Sequence, residues 1–142
     1  MLELLVVLAI ISMIVLSVPT AYSVLVPNLQ VRQYANDLAN LARELKHEAV
    51  RYNSVTGLIF DPTAKTVSGL GWHDSDLAKE LEVPSDVMVS FERQMKWKVP
   101  SDNRVEFYPT GGTSGGVLSV ERGNVRVDVA IDWMSGGIQV QQ

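Results

Sequence analysis

Residues 1–26 read MLELLVVLAIISMIVLSVPTAYSVLV and contain one charged side chain, that of Glu3. From Leu4 to Val26 the run is long enough to cross a bilayer, which takes roughly 20 apolar residues. A carboxylate at the edge of a helix that dissolves in lipid is costly, and a simple membrane anchor has no use for it. We therefore interpret Glu3 as a recognition group; the alternative is an incidental acid at the membrane surface.

The next stretch has the pattern of an amphipathic helix. Between Pro27 and Tyr52, apolar residues recur at spacings of three and four, which predicts one apolar stripe. The stripe consists of Val31, Tyr34, Leu38, Leu41, Leu45, Ala49 and Tyr52. On the other side, which we expect to be solvated, lie Arg32, Asp37, Arg43, Glu44, Lys46, His47, Glu48 and Arg51. We expect the helical region to end at Gly57.

After Gly57 the apolar residues follow a period of two, which is typical of β-strands. The expected elements are strands at residues 58–60, 87–91, 104–108 and 137–140, and a short helix near residues 75–81. The clearest prediction is a hairpin over residues 117–131, with Gly123 and Asn124 as a two-residue turn. Its predicted register pairs Arg122 with Val125, Glu121 with Arg126, Val120 with Val127 and Leu118 with Val129.

These elements predict an α+β fold. A long N-terminal helix, first hydrophobic and then amphipathic, would pack on an antiparallel β-sheet domain and give a lollipop shape. The predicted segments are a hydrophobic helix at residues 1–27, its amphipathic continuation at residues 28–56 and a globular β-domain at residues 57–142. With the hydrophobic head set aside, about 110 residues remain, which is enough for one modest core.

The segment from Leu2 to Ser12 resembles the N-terminus of type IV pilins and of type II secretion pseudopilins. In that family a peptidase cuts after a glycine, the mature chain begins with a methylated phenylalanine, and a glutamate follows before the apolar run. The resemblance places this glutamate at Glu3 and implies that it sets the filament register by pairing with the N-terminal amine of a neighbouring subunit. A buried acid is tolerable when it is paired. The resemblance also implies that a basic leader, the glycine and the first mature residues are missing before Met1.

The last third of the chain resembles the GspH/FimT pseudopilin domain. The resemblance rests on Phe107–Gly116, on the hairpin that follows, and on Gly136–Val140 near the C-terminus. We expect the glycine-rich part to be a flexible surface loop whose exposed position suits contact with a partner. The candidate contact residues are Gly111, Gly112, Thr113, Ser114, Gly115 and Gly116.

Within this group the resemblance implies one of two roles. H-type minor pseudopilins join the major and other minor pseudopilins near the tip of the type II secretion pseudopilus and help to export folded proteins across the outer membrane. FimT-like minor type IV pilins serve pilus assembly or DNA uptake, and the members that bind DNA have a basic C-terminus. Residues 136–142 contain no cation. Because DNA affinity depends largely on phosphate neutralisation, the tail favours the H-type role, with no nucleic acid as a partner.

The H-type role implies a single-pass protein of the bacterial inner membrane with its C-terminal domain in the periplasm. The other partners that it implies are secreted cargo and the secretin. Taken alone, Arg32 and Arg43 after the apolar run favour the opposite orientation by the positive-inside rule. In the family the basic leader decides the orientation, so we expect the periplasmic one.

Nothing in the composition points to chemistry. The chain has no cysteine and a net charge of −4, and its glycine-rich segment lacks the Gly-Lys-Ser/Thr ending of a phosphate-binding loop. The polar run at residues 72–76 lacks the spacing of a metal site. We expect no catalytic activity, no cofactor and no required metal. A third reading is an unrelated membrane-anchored β-domain, for which Glu3→Ala would leave localisation and activity unchanged.

Overall fold

A computed structural model of the chain describes residues 2–71, 80–93 and 103–141, with the backbone alone for residue 2 and residues 14–28. The chain forms two compact units, residues 1–30 and residues 31–142. Helix α1, Leu2–Arg51, begins in the first unit and ends in the second. The described part of the second unit contains antiparallel β-sheets, which confirms the prediction of a mixed α+β fold with antiparallel sheets.

The first unit exposes apolar side chains to solvent. Its described large apolar side chains at residues 4–13 are all at least half exposed, from Val6 at 50% to Met13 at 76%. Within the part of the chain that the structure describes, no helix is both long and apolar enough to cross a membrane. The predicted span over residues 4–26 includes residues 14–26, whose side chains lie outside that part, so the membrane span stays a prediction.

The second unit contains two four-stranded antiparallel sheets. The strands are β1 Thr56–Asp61, β2 Thr66–Leu70, β3 Glu80–Glu82, β4 Met88–Glu92, β5 Arg104–Phe107, β6 Gly116–Arg122, β7 Val125–Ile131 and β8 Ile138–Gln141. Sheet 1 has the order β3-β2-β1-β5, and sheet 2 has the order β4-β6-β7-β8. In sheet 1, β1 pairs with β5, and a long stretch of chain lies between these two strands. In sheet 2, the neighbouring strands β6, β7 and β8 follow one another directly along the chain.

The apolar stripe of α1 lies in the core of the second unit. Val31, Leu38, Leu45 and Ala49 are fully buried among the inner side chains of the sheets, as predicted. Tyr52 was also assigned to the stripe, but it lies after the helix and is exposed. Burial of one such stripe accounts for most of the stability of a helix in a globular protein.

The helix ends at Arg51, so the prediction that Gly57 ends it is wrong. Asn53 has a φ of 51°, a left-handed conformation that asparagine tolerates. The Ser54 N–H donates to the Ala49 carbonyl at 3.1 Å, which completes a helix-ending turn of the Schellman type. Gly57 lies inside β1 instead.

The hairpin has the predicted register. Arg122 lies opposite Val125, Glu121 opposite Arg126, Val120 opposite Val127 and Leu118 opposite Val129. Two strands were missed: β2, and β3, which contains Leu81, a residue that had been assigned to a short helix. The rest of that predicted helix, residues 75–79, lies outside the described residues.

Candidate functional site

Glu3 lies in the first turn of α1 and is exposed. A carboxylate in this turn interacts favourably with the positive end of the helix dipole. That contribution needs no partner. The predicted role in filament register does need one, and it stays a prediction.

The glycine loop, residues 108–116, covers the outer edge of sheet 1. The backbone groups of Glu106 point away from β1, and the loop satisfies both of them: the Ser114 N–H donates to the Glu106 carbonyl at 2.9 Å, and the Ser114 hydroxyl accepts from the Glu106 N–H at 3.0 Å. Thr113 forms an isolated β-bridge with Phe107. Since an open edge invites pairing with other chains, this loop protects β5.

The glycine loop is a hydrogen-bonded structure. Its tip is a tight turn in which the Tyr108 N–H donates to the Gly112 carbonyl at 2.9 Å, and Gly111 adopts a φ of 85°. Thr113, Gly115 and Gly116 are buried, and the remaining candidate contact residues, Gly111, Gly112 and Ser114, are half-buried. The prediction that these residues are exposed is therefore wrong, and the predicted flexibility of the loop stays a prediction. That these residues contact a partner stays a prediction.

The terminal turn, residues 132–137, is organised by one carboxylate. Asp132 Oδ1 accepts from the Ser135 N–H at 2.7 Å, the Ser135 hydroxyl at 2.9 Å and the Met134 N–H at 2.9 Å. Hydrogen bonds from Ser135 and then from Met134 hold the pKa of Asp132 below its usual value. The turn closes with the Asp132 N–H donating to the Gly137 carbonyl at 2.9 Å.

The glycine loop and the terminal turn pack directly against each other. The Thr113 hydroxyl donates to the Asp132 carbonyl at 3.3 Å. A Cβ on Gly115 would lie 2.7 Å from Trp133 Cβ, and a Cβ on Gly136 would overlap the carbonyl oxygen of Gly111. Both glycines have a positive φ, so the close approach and the backbone conformation each require glycine.

Helix α1 binds the same region through two cations. Lys46 Nζ donates to the Gly136 carbonyl at 2.8 Å, and Arg43 Nη2 lies 3.4 Å from the Ile138 carbonyl. Lys46 is half-buried, so the prediction that it lies on a solvated face is wrong for this residue. Exposed Arg32, Asp37 and His47 follow the prediction.

Two large side chains of the terminal turn project outward. Trp133 is 42% exposed and Met134 is 72% exposed. Neither residue was predicted from the sequence to have a contact role. The signal was present, since aromatic residues and methionine are enriched where proteins meet.

Among the described residues, no group of three or more His, Cys, Asp or Glu side chains is placed to hold a metal ion. The polar run at residues 72–76 lies outside the described residues. The described residues provide two surfaces: an apolar helix head with one acid, and a hydrogen-bonded turn that presents two apolar side chains.

The architecture defines a pilin-like protein: a helix packed in part on a domain of antiparallel sheets. Two structures of the minor pseudopilin EpsH from the type 2 secretion system of Vibrio cholerae match with TM-scores of 0.63 and 0.64 at 12% and 11% identity. They cover 78% and 80% of this chain, which spans 95% and 94% of theirs. The type IV minor pilin FimU of Pseudomonas aeruginosa matches with a TM-score of 0.58 at 12% identity, over 80% of this chain and 89% of FimU.

These neighbours give the chain a GspH/FimT-type pilin-like fold. No protein-family model matches the sequence. No curated protein matches it either. The neighbours are structural proteins of pili and pseudopili, and at these identities the likeness concerns the fold.

Proposed function

We propose that this chain is a minor pseudopilin of a type II secretion system. It assembles near the tip of the pseudopilus and helps to drive export of folded proteins across the outer membrane. The observation that carries the proposal is the exposed apolar head of α1, with Glu3 in its first turn, in a chain whose fold is pilin-like.

The exposed apolar side chains at the head of α1 are stabilised when another apolar surface covers them. Leu4, Leu5 and Leu8 are each more than half exposed, and apolar surface gains about 25 cal/mol for each Å² removed from water. Lipid and the helices of other subunits both provide such a cover. A protein partner can pair Glu3 with a cation, and such pairing offsets the cost of burying the carboxylate. The head therefore stores the chain in the inner membrane and then enters the filament.

The rest of the proposal follows from that role. The β-domain lies in the periplasm and contacts the major pseudopilin and other minor pseudopilins. Secreted cargo and the secretin are further partners. The work is mechanical, because added subunits push the filament and this chain breaks no bond, so we propose that it is not an enzyme.

A FimT-like minor type IV pilin, active in pilus assembly or DNA uptake, is the second candidate. The similarity to FimU supports it. The C-terminal residues argue against DNA uptake, since β8 reads Ile-Gln-Val-Gln and the terminal turn contains no cation. Neutralised phosphates supply most of the affinity of a protein for DNA.

The test is capture of the full chain, with the family's leader in front, from detergent-solubilised membranes of its native host. Recovery of type II minor pseudopilins supports the proposal, and recovery of type IV pilus subunits supports the second candidate. Glu3→Gln should remove the pilin-like partners while the chain remains in the membrane fraction. Glu80→Gln, which neutralises an exposed acid of β3, is the matched control and should recover them all. Equal recovery by both variants would contradict the role of Glu3.

A further inference from the structure

One edge of strand β8 pairs with no other described strand. A hydrogen bond in the terminal turn shows which backbone groups of β8 point towards β7 and which point away from it. The Asp132 N–H donates to the Gly137 carbonyl, so these two residues form a hydrogen-bonded pair. In an antiparallel ladder such pairs alternate with pairs whose backbone groups point away from each other. The pairs Ile131–Ile138 and Val129–Val140 are of the second kind, so the backbone groups of Ile138 and Val140 point out of sheet 2.

The outward groups of β8 are only partly occupied. Arg43 Nη2 approaches the Ile138 carbonyl at 3.4 Å, a long contact, while its Nη1 donates to Asn40 Oδ1 at 2.9 Å. Among the described residues, neither the N–H nor the carbonyl of Val140 has a hydrogen-bond partner beyond the ladder. The edge thus offers an outward N–H and an outward carbonyl at each of Val140 and Ile138, and in the part of the chain that the structure describes only the Ile138 carbonyl has a neighbouring donor, Arg43.

Among the described strands, the other sheet edges carry a protective feature, and β8 differs from them. The glycine loop covers β5. β3 carries Glu80 and Glu82, and β4 carries Glu92. Charged side chains and covering loops are the usual devices against edge pairing. β8, Ile-Gln-Val-Gln, has no charge and no proline.

We propose that β8 is a docking edge for an extended segment of a partner protein, which adds to sheet 2 as a further strand and carries a carboxylate that pairs with Arg43. Strand addition of this kind takes its affinity from main-chain hydrogen bonds and its specificity from alternate side chains. Arg43 is an exposed cation beside the edge, so an acidic residue complements it. Two copies of this chain paired through β8 would instead bring two Arg43 side chains to one short ladder, where like charges repel.

This inference does not depend on the proposed function, since the edge exists whether or not the chain enters a filament. The probe is a capped, dye-labelled heptapeptide that alternates valine and threonine around a central aspartate. Its binding to the full chain in detergent micelles is followed by fluorescence anisotropy. A twin peptide with lysine at the centre and one with N-methylated backbone nitrogens are the ligand controls.

Val140→Pro removes the outward donor, and proline is tolerated in an edge strand where its nitrogen faces solvent. Loss of one good hydrogen bond corresponds to roughly tenfold weaker binding. Val140→Thr keeps the donor and the β-branched shape, so it should bind the peptide as the unmodified chain does. Arg43→Gln should weaken binding of the aspartate peptide, and it should strengthen binding of the lysine twin because it removes the repulsion between like charges.

Amide hydrogen exchange provides a readout that does not depend on any variant folding. In the free chain the Val140 N–H should exchange quickly and the Gln139 N–H, which faces β7, slowly; the peptide should protect Val140. Slow exchange of Val140 in the free chain at every concentration would overturn the proposal, as would equal binding of the aspartate and lysine peptides. Protection that grows with chain concentration alone would identify a second copy as the occupant and also overturn it.

Discussion

Two segments of the same helix treat their apolar side chains in opposite ways. The head segment, residues 3–13, exposes its leucines, valines and isoleucines, while the core segment, residues 31–49, buries its apolar stripe completely. Both are apolar and both are helical. The difference is that the sheets of the second unit cover the core segment, and no described residue covers the head segment.

The pattern of each segment explains this contrast. Apolar residues in the core segment occupy one stripe, with Arg32, Asp37 and Arg43 on the exposed side. The head segment is apolar on all sides, as expected for a helix surrounded by lipid or by other helices. A helix with one apolar stripe can bury it against a single neighbouring surface. A helix that is apolar on all sides needs lipid or other helices around it to bury its side chains. One helix therefore buries the apolar side chains of one segment in the core of the second unit and exposes those of the other.

The largest expected difference between the two segments concerns leucines. Leu45→Ala removes a fully buried side chain and should lower the free energy of unfolding by about 2–5 kcal/mol. Leu8→Ala is the matched control, because Leu8 is 52% exposed, and it should leave the stability of the β-domain unchanged. Urea-induced unfolding of the full chain in detergent micelles, followed by tryptophan fluorescence, measures both. Equal losses would show that the head segment belongs to the cooperative core.

A smaller difference concerns two side-chain hydroxyl groups, one of which donates a hydrogen bond to a backbone carbonyl of the core segment and the other to a backbone carbonyl of the head segment. The buried Thr56 hydroxyl donates to the Leu45 carbonyl at 2.8 Å, and the exposed Ser12 hydroxyl donates to the Leu8 carbonyl at 2.7 Å. Thr56→Val should cost about 1 kcal/mol of unfolding free energy, since it removes a buried hydrogen bond. Ser12→Ala should change it by less than about 0.5 kcal/mol. The same urea titration measures both variants. A larger loss of unfolding free energy in Ser12→Ala than in Thr56→Val would contradict the difference between the two segments.

The smallest effect appears in the pH dependence of stability, through the terminal turn that Lys46 of the core segment binds. The pKa of Asp132 is lower in the folded chain than in the unfolded chain. Its contribution is therefore present above the unfolded pKa, near 4, and is lost as the pH falls through the folded value. Asp132→Asn keeps the shape without the charge, so the stability gap between the two chains should narrow below about pH 4. Parallel unfolding curves from pH 7 to below this point would refute this.

The parts of the fold that follow local patterns were predictable. The hairpin register followed from a Gly-Asn turn between two alternating runs, and Gly123 has the positive φ, 58°, that such a turn requires. The stripe of α1 followed from spacing. Strand β2 was missed because its sequence, Thr-Val-Ser-Gly-Leu, contains a serine and a glycine and has few alternating apolar positions.

The candidate site was less predictable, because its contacts join distant parts of the chain. A glycine-rich run between two strands has the composition of a flexible loop. Nothing local in Gly111 or Ser114 indicates that the loop covers the edge of β5 and packs on a turn near the C-terminus. In the same way, Lys46 has the pattern of a solvated residue until Gly136 is brought to it.

The pairing of β1 with β5 has a consequence for the order in which the chain folds. Thr56 meets Phe107 across a long intervening sequence, while β6, β7 and β8 need only neighbouring residues. Non-local pairing is slow because loop closure precedes the contacts that reward it. Strands β6, β7 and β8 of sheet 2 can thus pair early, whereas β1 must wait for β5 and for the glycine loop that covers it. A newly made chain would expose the edge of β1 throughout that interval, and an open strand edge is a site at which other chains can pair.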